Sequence, residues 1–251
     1  MTFSIIAQCP HTGAFGGAVG TSSLAVGNRC LHVRHGAGAF LSQHRTDPRL
    51  GERGAALLAG GHSAAAAMAE VRRAPDIGWR QLAALDAAGG IAVHHGDRIY
   101  SITTHAVGER CVAIGNILAN ERITDAMVAA FAGAAAEPLE WRLVRAMEAG
   151  RDAGGEVLEP LRSAALVVSG PDGMDRCNLR VDRAGEAVAA LRDLLAAYGD
   201  QEAGLRAVAF EPESVPVARP LFEASVRRIA DLGLERRFPT QARRGDWVLR
   251  D

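Results

Sequence analysis

From residue 2 to residue 9 the chain alternates and is rich in β-branched and aromatic side chains, a period-two pattern that predicts a strand. Pro10-His11-Thr12-Gly13 has turn chemistry, and residues 14–21 predict a second strand that closes an N-terminal hairpin. Residues 37–43 predict a further strand, whose small side chains allow layers to approach closely. The period then changes. Residues 50–59 read as a helix, and a second helix starts at Ser63, a good N-cap, and runs through an alanine-rich stretch to Arg73. Short strands follow at 81–86, 90–94, 99–103 and 111–115, then a second helix pair at 122–133 and 139–149. Strands resume at 164–169 and 177–182, and a helix covers 186–198.

Helices that come in pairs between strand meanders argue against a doubly wound sheet, where they would alternate singly. The order predicts an α+β fold of two antiparallel sheets sandwiched between helix layers, a four-layer αββα arrangement. No glycine-rich loop follows a strand in the way a dinucleotide fold requires. Residues 2–198 are expected to form this domain. From about Gly199 the character changes: Pro212, Pro216, Pro220 and Pro239 interrupt residues 199–251, around one amphipathic segment (Phe222, Val226, Ile229, Leu232). This extension is expected to pack on the domain or on a partner subunit, which makes a homo-oligomer the expected state.

Composition narrows the function. Net charge is −1 and aromatic residues are 5% of the chain, so neither the basic stripe nor the stacking platforms of a nucleic-acid binder are present. The chain has no apolar run of the ~18 to 20 residues a membrane span needs, and its first residues do not read as a signal peptide. A cytoplasmic location with no membrane partner is expected. Cys9, Cys30, Cys111 and Cys177 are scattered, which predicts reduced structural thiols, not a zinc or redox motif. The histidines lack a tight metal spacing: His94 and His95 are adjacent and point to opposite faces of a strand, and His32, His35 and His44 stand apart. Neither metal nor cofactor is expected.

All 28 basic residues are arginine. Without lysine the chain cannot form a lysine Schiff base, hold pyridoxal phosphate covalently, or use a Walker-A loop or a Ser-Lys dyad. Its α-amino group is therefore its one amine. A threonine hydroxyl is a weak nucleophile unless a base takes its proton. Removal of Met1, favoured before a small residue, gives Thr2 a free amine on the carbon that carries its side chain. That amine has an ordinary pKa of about 7.7 to 8.0, well placed for a general base near neutrality. No serine lies in a G-x-S-x-G elbow.

The opening Thr2-Phe3-Ser4-Ile5-Ile6-Ala7 resembles the start of the bacterial family called domain of unknown function 1028. Leu24-Ala25-Val26-Gly27, Gly36-Ala37-Gly38-Ala39 leading to Ser42-Gln43, and Asp47-Pro48 followed by Gly51 are similar to it in the same order. So are Val107-Gly108, Gly115-Asn116-Ile117-Leu118, the run from Ser163 to Val168, and Leu179-Arg180-Val181-Asp182. That family resembles the N-terminal-nucleophile (Ntn) hydrolases. The resemblance implies the αββα fold and attack by the leading threonine on an amide-type bond.

Carried over residue by residue, Thr2 is the nucleophile. Ser22 and Ser23 follow the second strand, where such folds place a polar side chain near the nucleophile, and Ser23 is the choice. Asn116 either donates to an oxyanion or satisfies a turn. Gln43 either orients substrate or caps its strand. Ser163 either hydrogen-bonds the α-amine or is a buried structural serine. His105 stands where the family often has a histidine and is a pocket candidate. Two departures stand out: Arg162 replaces a glutamine common before that serine, and no lysine accompanies the threonine. Arg162 can bind a substrate carboxylate as a fork, and Arg34 is the cationic candidate by chain position. The reading is an amidohydrolase that cleaves a small linear amide or related C–N bond through a threonine acyl-enzyme. Its rivals are a hydrolytic deaminase of an enamine or imine and an inactive binding module.

Overall fold

The computed structural model describes residues 1–170, 172–212 and 219–237. In chain order the elements begin with β1 (Thr2–Gln8), β2 (Phe15–Thr21), β3 (Leu31–Arg34), β4 (Gly38–Gln43), α1 (Pro48–Ala59) and α2 (Ala64–Val71). Next come β5 (Gln81–Asp86), β6 (Ile91–His95), β7 (Thr103–Gly108), β8 (Cys111–Asn116), α3 (Ile123–Gly133) and α4 (Leu139–Asp152). The chain goes on through β9 (Ser163–Ser169), β10 (Asp175–Val181), α5 (Ala187–Phe210), α6 (Arg219–Asp231) and α7 (Leu234–Arg237). Two compact units are present, Met1–Leu194 and Leu195–Asp251.

In the first unit the strands form two antiparallel sheets, one ordered β10-β9-β2-β1-β8-β7 and the other β3-β4-β5-β6. The period of two along each strand assigns the layers. Ile6, Phe15, Val112 and Ile114 of the larger sheet pack against Ala39, Leu41, Ala83 and Leu85 of the smaller, a dry core between them. The alternate residues face outward: Phe40, Leu82 and Ala84 pack on Leu50, Ala55, Leu58, Ala67, Met68 and Val71 of α1 and α2. Helices α3 and α4 cover the other face of the larger sheet, against β7, β8, β1 and β2. The result is the four-layer αββα sandwich. Each helix start has a local cause: Asp47 caps α1 through Arg49 N ahead of Pro48, and Ser63 caps α2 through Ala66 N.

Three elements differ from the pattern-based reading. Strand β3 was not anticipated, because four half-buried residues with His32 and Arg34 among them carry too weak an alternation. The strand expected at 99–103 instead spans Thr103–Gly108. Ser101 has φ 67°, outside extended backbone, so pairing starts only at Thr103↔Asn116. Helix α5 runs through Gly199 to Phe210. A helical glycine costs about 1 kcal/mol, which the helix formers around it outweigh. In the second unit the amphipathic segment falls in α6, with Leu232 just past its end and half exposed. Pro216, Pro239 and everything from residue 238 lie outside the described residues.

One packing contact gives a test. A Cβ built on Gly54 of α1 would lie 2.4 Å from the buried ring of Phe40. Gly→Ala normally helps a helix, but here overpacking outweighs propensity. Gly54→Ala should destabilise by about 1–3 kcal/mol in urea titration. Gly133→Ala, with open space around it, should be neutral or stabilising.

Candidate active site

Cross-strand register gathers polar residues at one end of the sandwich. In the larger sheet Thr2 pairs with Asn116, Asn116 with Thr103, and Thr21 with Ser163. One step beyond the ladder pair Phe3↔Gly20, Thr2 and Thr21 come side by side. In the smaller sheet Gln43 pairs with Gln81, and Gln81 with His95. Two polar rows therefore face each other exactly where the apolar core between the sheets ends.

Buried carboxamides join the rows. Gln81, fully buried, accepts from Gln43 Nε2 (2.6 Å) and Asn116 Nδ2 (2.9 Å) and donates to Gly115 O (2.8 Å). Gln43 accepts from the Ser4 hydroxyl (2.6 Å) and reaches Thr2 O (3.4 Å). On the far side Gln81 Nε2 lies 3.1 Å from His95 Nδ1, and His95 Nε2 lies 2.9 Å from His105 Nδ1. Because Gln81 Nε2 is a donor, His95 Nδ1 must be the acceptor, so His95 is neutral and donates from Nε2. Burial pulls its pKa down to about 4, helped by the neighbouring His105 and His94.

Thr2 is 6% exposed at the head of a central strand. Its hydroxyl donates to Met1 O, which also accepts from Thr21 Oγ1 at 2.7 Å. Two buried oxygens near it, Asn116 Oδ1 and Glu156 Oε1, have no partner among the described residues. Glu156 Oε2 accepts from Ser22 N at 2.9 Å. Burial pulls the amine of Met1 below its ordinary value, while Glu156 pulls it the other way. Burial likewise pushes the Glu156 carboxyl up, against the bonds from Ser22.

The backbone is strained around the same end. Ala25, His44, Arg45, Ser101 and Ile117 have φ between 43° and 67° and sit in the turns at these strand ends. For a β-branched residue such as Ile117 this is a true outlier, and such strain clusters at functional sites. Its consequence is visible: β8 ends abruptly after Asn116, Leu118 bridges to Glu156, and Val157 N bonds Ile117 O at 3.2 Å.

The structure brings Thr2, Asn116 and Gln43 together, with His105 joined to them through His95 and Gln81. Asn116 uses one amide hydrogen on Gln81, which leaves the second for a ligand. Ser163 is fully buried but spends its hydroxyl on Ser23 O (2.7 Å) and Val26 N (3.0 Å), so it shapes the loop after β2 and does not meet the amine. Ser23 is exposed and accepts from Arg29 (2.6 Å), and Thr21 stands between it and the terminus. Arg162 binds Thr21 O through its backbone and exposes its side chain. Arg34 is not part of the site: it pairs with Gly38, five residues and ~16 Å of strand from Gln43, and binds Glu52. Chain proximity misleads there because β3 and β4 run antiparallel.

Thr21, Gln81, Glu156 and His95 were missed. Register alone reveals Thr21 and Gln81, since each is a polar strand end beside a chosen residue. For Glu156 the one signal is an acid directly after Gly154-Gly155. Cys30, Cys111 and Cys177 are buried free thiols. Among the described residues no group of three or more His, Cys, Asp or Glu stands close enough to hold a metal ion, and no helix is long and apolar enough to cross a membrane.

Two antiparallel sheets covered by helix pairs define the chain as a four-layer αββα sandwich protein. The chain belongs to the DUF1028 family, a family of unknown function, whose model matches residues 2–191. It is similar to protein SPO2555 from Silicibacter pomeroyi, of the same family, at 34% identity and a TM-score of 0.72, covering 78% of this chain and 85% of that one. Anbu (ancestral beta-subunit) from Yersinia bercovieri is far more distant, at 11% identity and a TM-score of 0.38, covering 78% of this chain and 96% of Anbu. No curated protein matches the sequence.

His95 gives this end of the fold a pH signature. Between its ordinary 6.5 and about 4 the unfolded chain holds a proton that the folded one does not, so stability falls as pH drops through that window. Because the ring is partly exposed, its share is discounted to about 1 kcal/mol. Urea midpoints from pH 7 to pH 4 should fall less steeply in His95→Gln than in the parent protein.

Proposed function

We propose that the protein is an Ntn hydrolase that cleaves a small linear amide or related C–N bond with Thr2. The observation that supports this most is the placement of Thr2: buried at the head of a central strand, beside Asn116, Thr21 and Gln43. A nucleophile must be held still, and a frayed terminus would not hold it.

Loss of Met1 frees the amine of Thr2 and vacates the space beside Thr21. Thr2 Oγ1 then attacks the substrate carbonyl carbon as its proton passes to that amine. Asn116 Nδ2, through its second hydrogen, faces the developing oxyanion. Collapse breaks the C–N bond, and the leaving nitrogen takes the proton from the amine. Water adds to the acyl ester, again giving its proton to the amine. The ester bond breaks, the acid departs and the Thr2 hydroxyl is restored.

Purified protein should be shorter than its coding sequence by Met1 in an intact-mass measurement. In an assay of amine or ammonia release from a panel of small linear amides, Thr2→Ala should lose at least about a hundredfold in rate with an unchanged circular dichroism spectrum, while Thr2→Ser keeps part of it. Amide hydrolysis by protein that retains Met1 contradicts the reading.

A further inference from the structure

The proposed catalytic steps make no use of the buried carboxyl next to Ser22, that of Glu156. Glu156 is 1% exposed and is held by its bridge to Leu118 beneath the Ile117 kink. Its Oε2 takes the N–H of Ser22, the residue after Thr21, and its Oε1 has no partner among the described residues. Thr21 Oγ1 in turn lies 2.7 Å from Met1 O. It is therefore packed against the peptide group whose nitrogen becomes the amine of Thr2 once Met1 leaves. A buried carboxyl oxygen without a donor is costly enough to need an explanation. Loss of Met1 provides one, because it creates an ammonium next to Thr21 and removes the carbonyl that now holds the Thr21 hydroxyl.

We infer that Glu156 and Thr21 together seat the freed Thr2 amine and aim its lone pair at Oγ1. The inference rests on the reading that Thr2 is the nucleophile. A neutral amine has two hydrogens and one lone pair. Thr21 Oγ1, donating its own hydrogen to Glu156, accepts one amine hydrogen, and Glu156 Oε1 accepts the other. The lone pair then takes the Thr2 hydroxyl proton, and the resulting ammonium faces a carboxylate until it passes that proton to the leaving nitrogen. Glu156 is thus a positioning residue that also offsets charge at one point of the cycle. Cys30, Arg29 and His44 are the other charged or titratable groups that act on the Met1 amine, one residue away.

The absence of lysine makes a direct test possible, since an amine reagent reads a single group. The pH dependence of the reaction of the processed protein with trinitrobenzenesulfonate gives the pKa of the Thr2 amine. Glu156→Gln should lower that inflection by about one unit, a tenfold change in proton affinity, because burial then acts unopposed. Glu156→Asp should restore part of the shift. Thr21→Val, nearly isosteric, should lower it too, and it carries the test if Glu156→Gln does not fold. A merely structural glutamate would leave the inflection unmoved. An unmoved inflection in whichever of these variants folds overturns this inference alone, with Thr2 still required for amide cleavage. Retention of Met1 in the parent protein overturns both.

Discussion

Two sheets that face each other through alanine, leucine and isoleucine have no use for a carboxamide, yet Gln81 is fully buried between them. It can stay there only because each of its polar atoms has a partner: Gln43 and Asn116 on its oxygen, and the Gly115 carbonyl and His95 on its nitrogen. A half-satisfied buried amide costs more than an apolar side chain would. The network therefore fixes the register of both sheets at this end. It also fixes the rotamers of Asn116 and Gln43, the two side chains that flank Thr2. Precision at the site is a by-product of satisfying buried dipoles.

The same constraint explains why the first residues are ordered. Strand β1 lies between β2 and β8, so Thr2 pairs with Asn116 and the next residue, Phe3, is paired on both sides. Positive-φ residues stand just past the ends of neighbouring strands, Ile117 after β8 and His44 after β4. What is left unsatisfied there, one oxygen of Asn116 and one of Glu156, marks where the structure awaits a donor.

Much of this was legible from side-chain pattern. Alternation located β1, β2, β4, β5 and β8 and hence the polar ends of those strands, and the helix pairs declared the layers. Thr2 stood out by chemistry, because a lysine-free chain has one amine. Pattern could not say which strand ends meet. That depends on pairing between segments far apart in sequence, which is why Thr21 and Gln81 were overlooked although each neighbours a chosen residue in register. Arg34 was chosen for its position along the chain, and the β3–β4 hairpin carries it to the wrong end. Ser163 shows a different limit: it is buried where expected, but its hydroxyl closes a loop. Glu156 reaches the site only through the Ile117 kink, which no propensity forecasts.

The account turns on a free amine and a hydroxyl on adjacent carbons of one buried residue. Periodate cleaves the bond between such carbons and leaves other residues of that kind untouched, because only a terminal threonine has both groups free. The account predicts that native protein reacts once, releases acetaldehyde, is left with a glyoxylyl group ahead of Phe3, and loses its amide hydrolysis in step with that oxidation. Hydrolysis that survives complete oxidation, or that is found in protein inert to periodate, would contradict it.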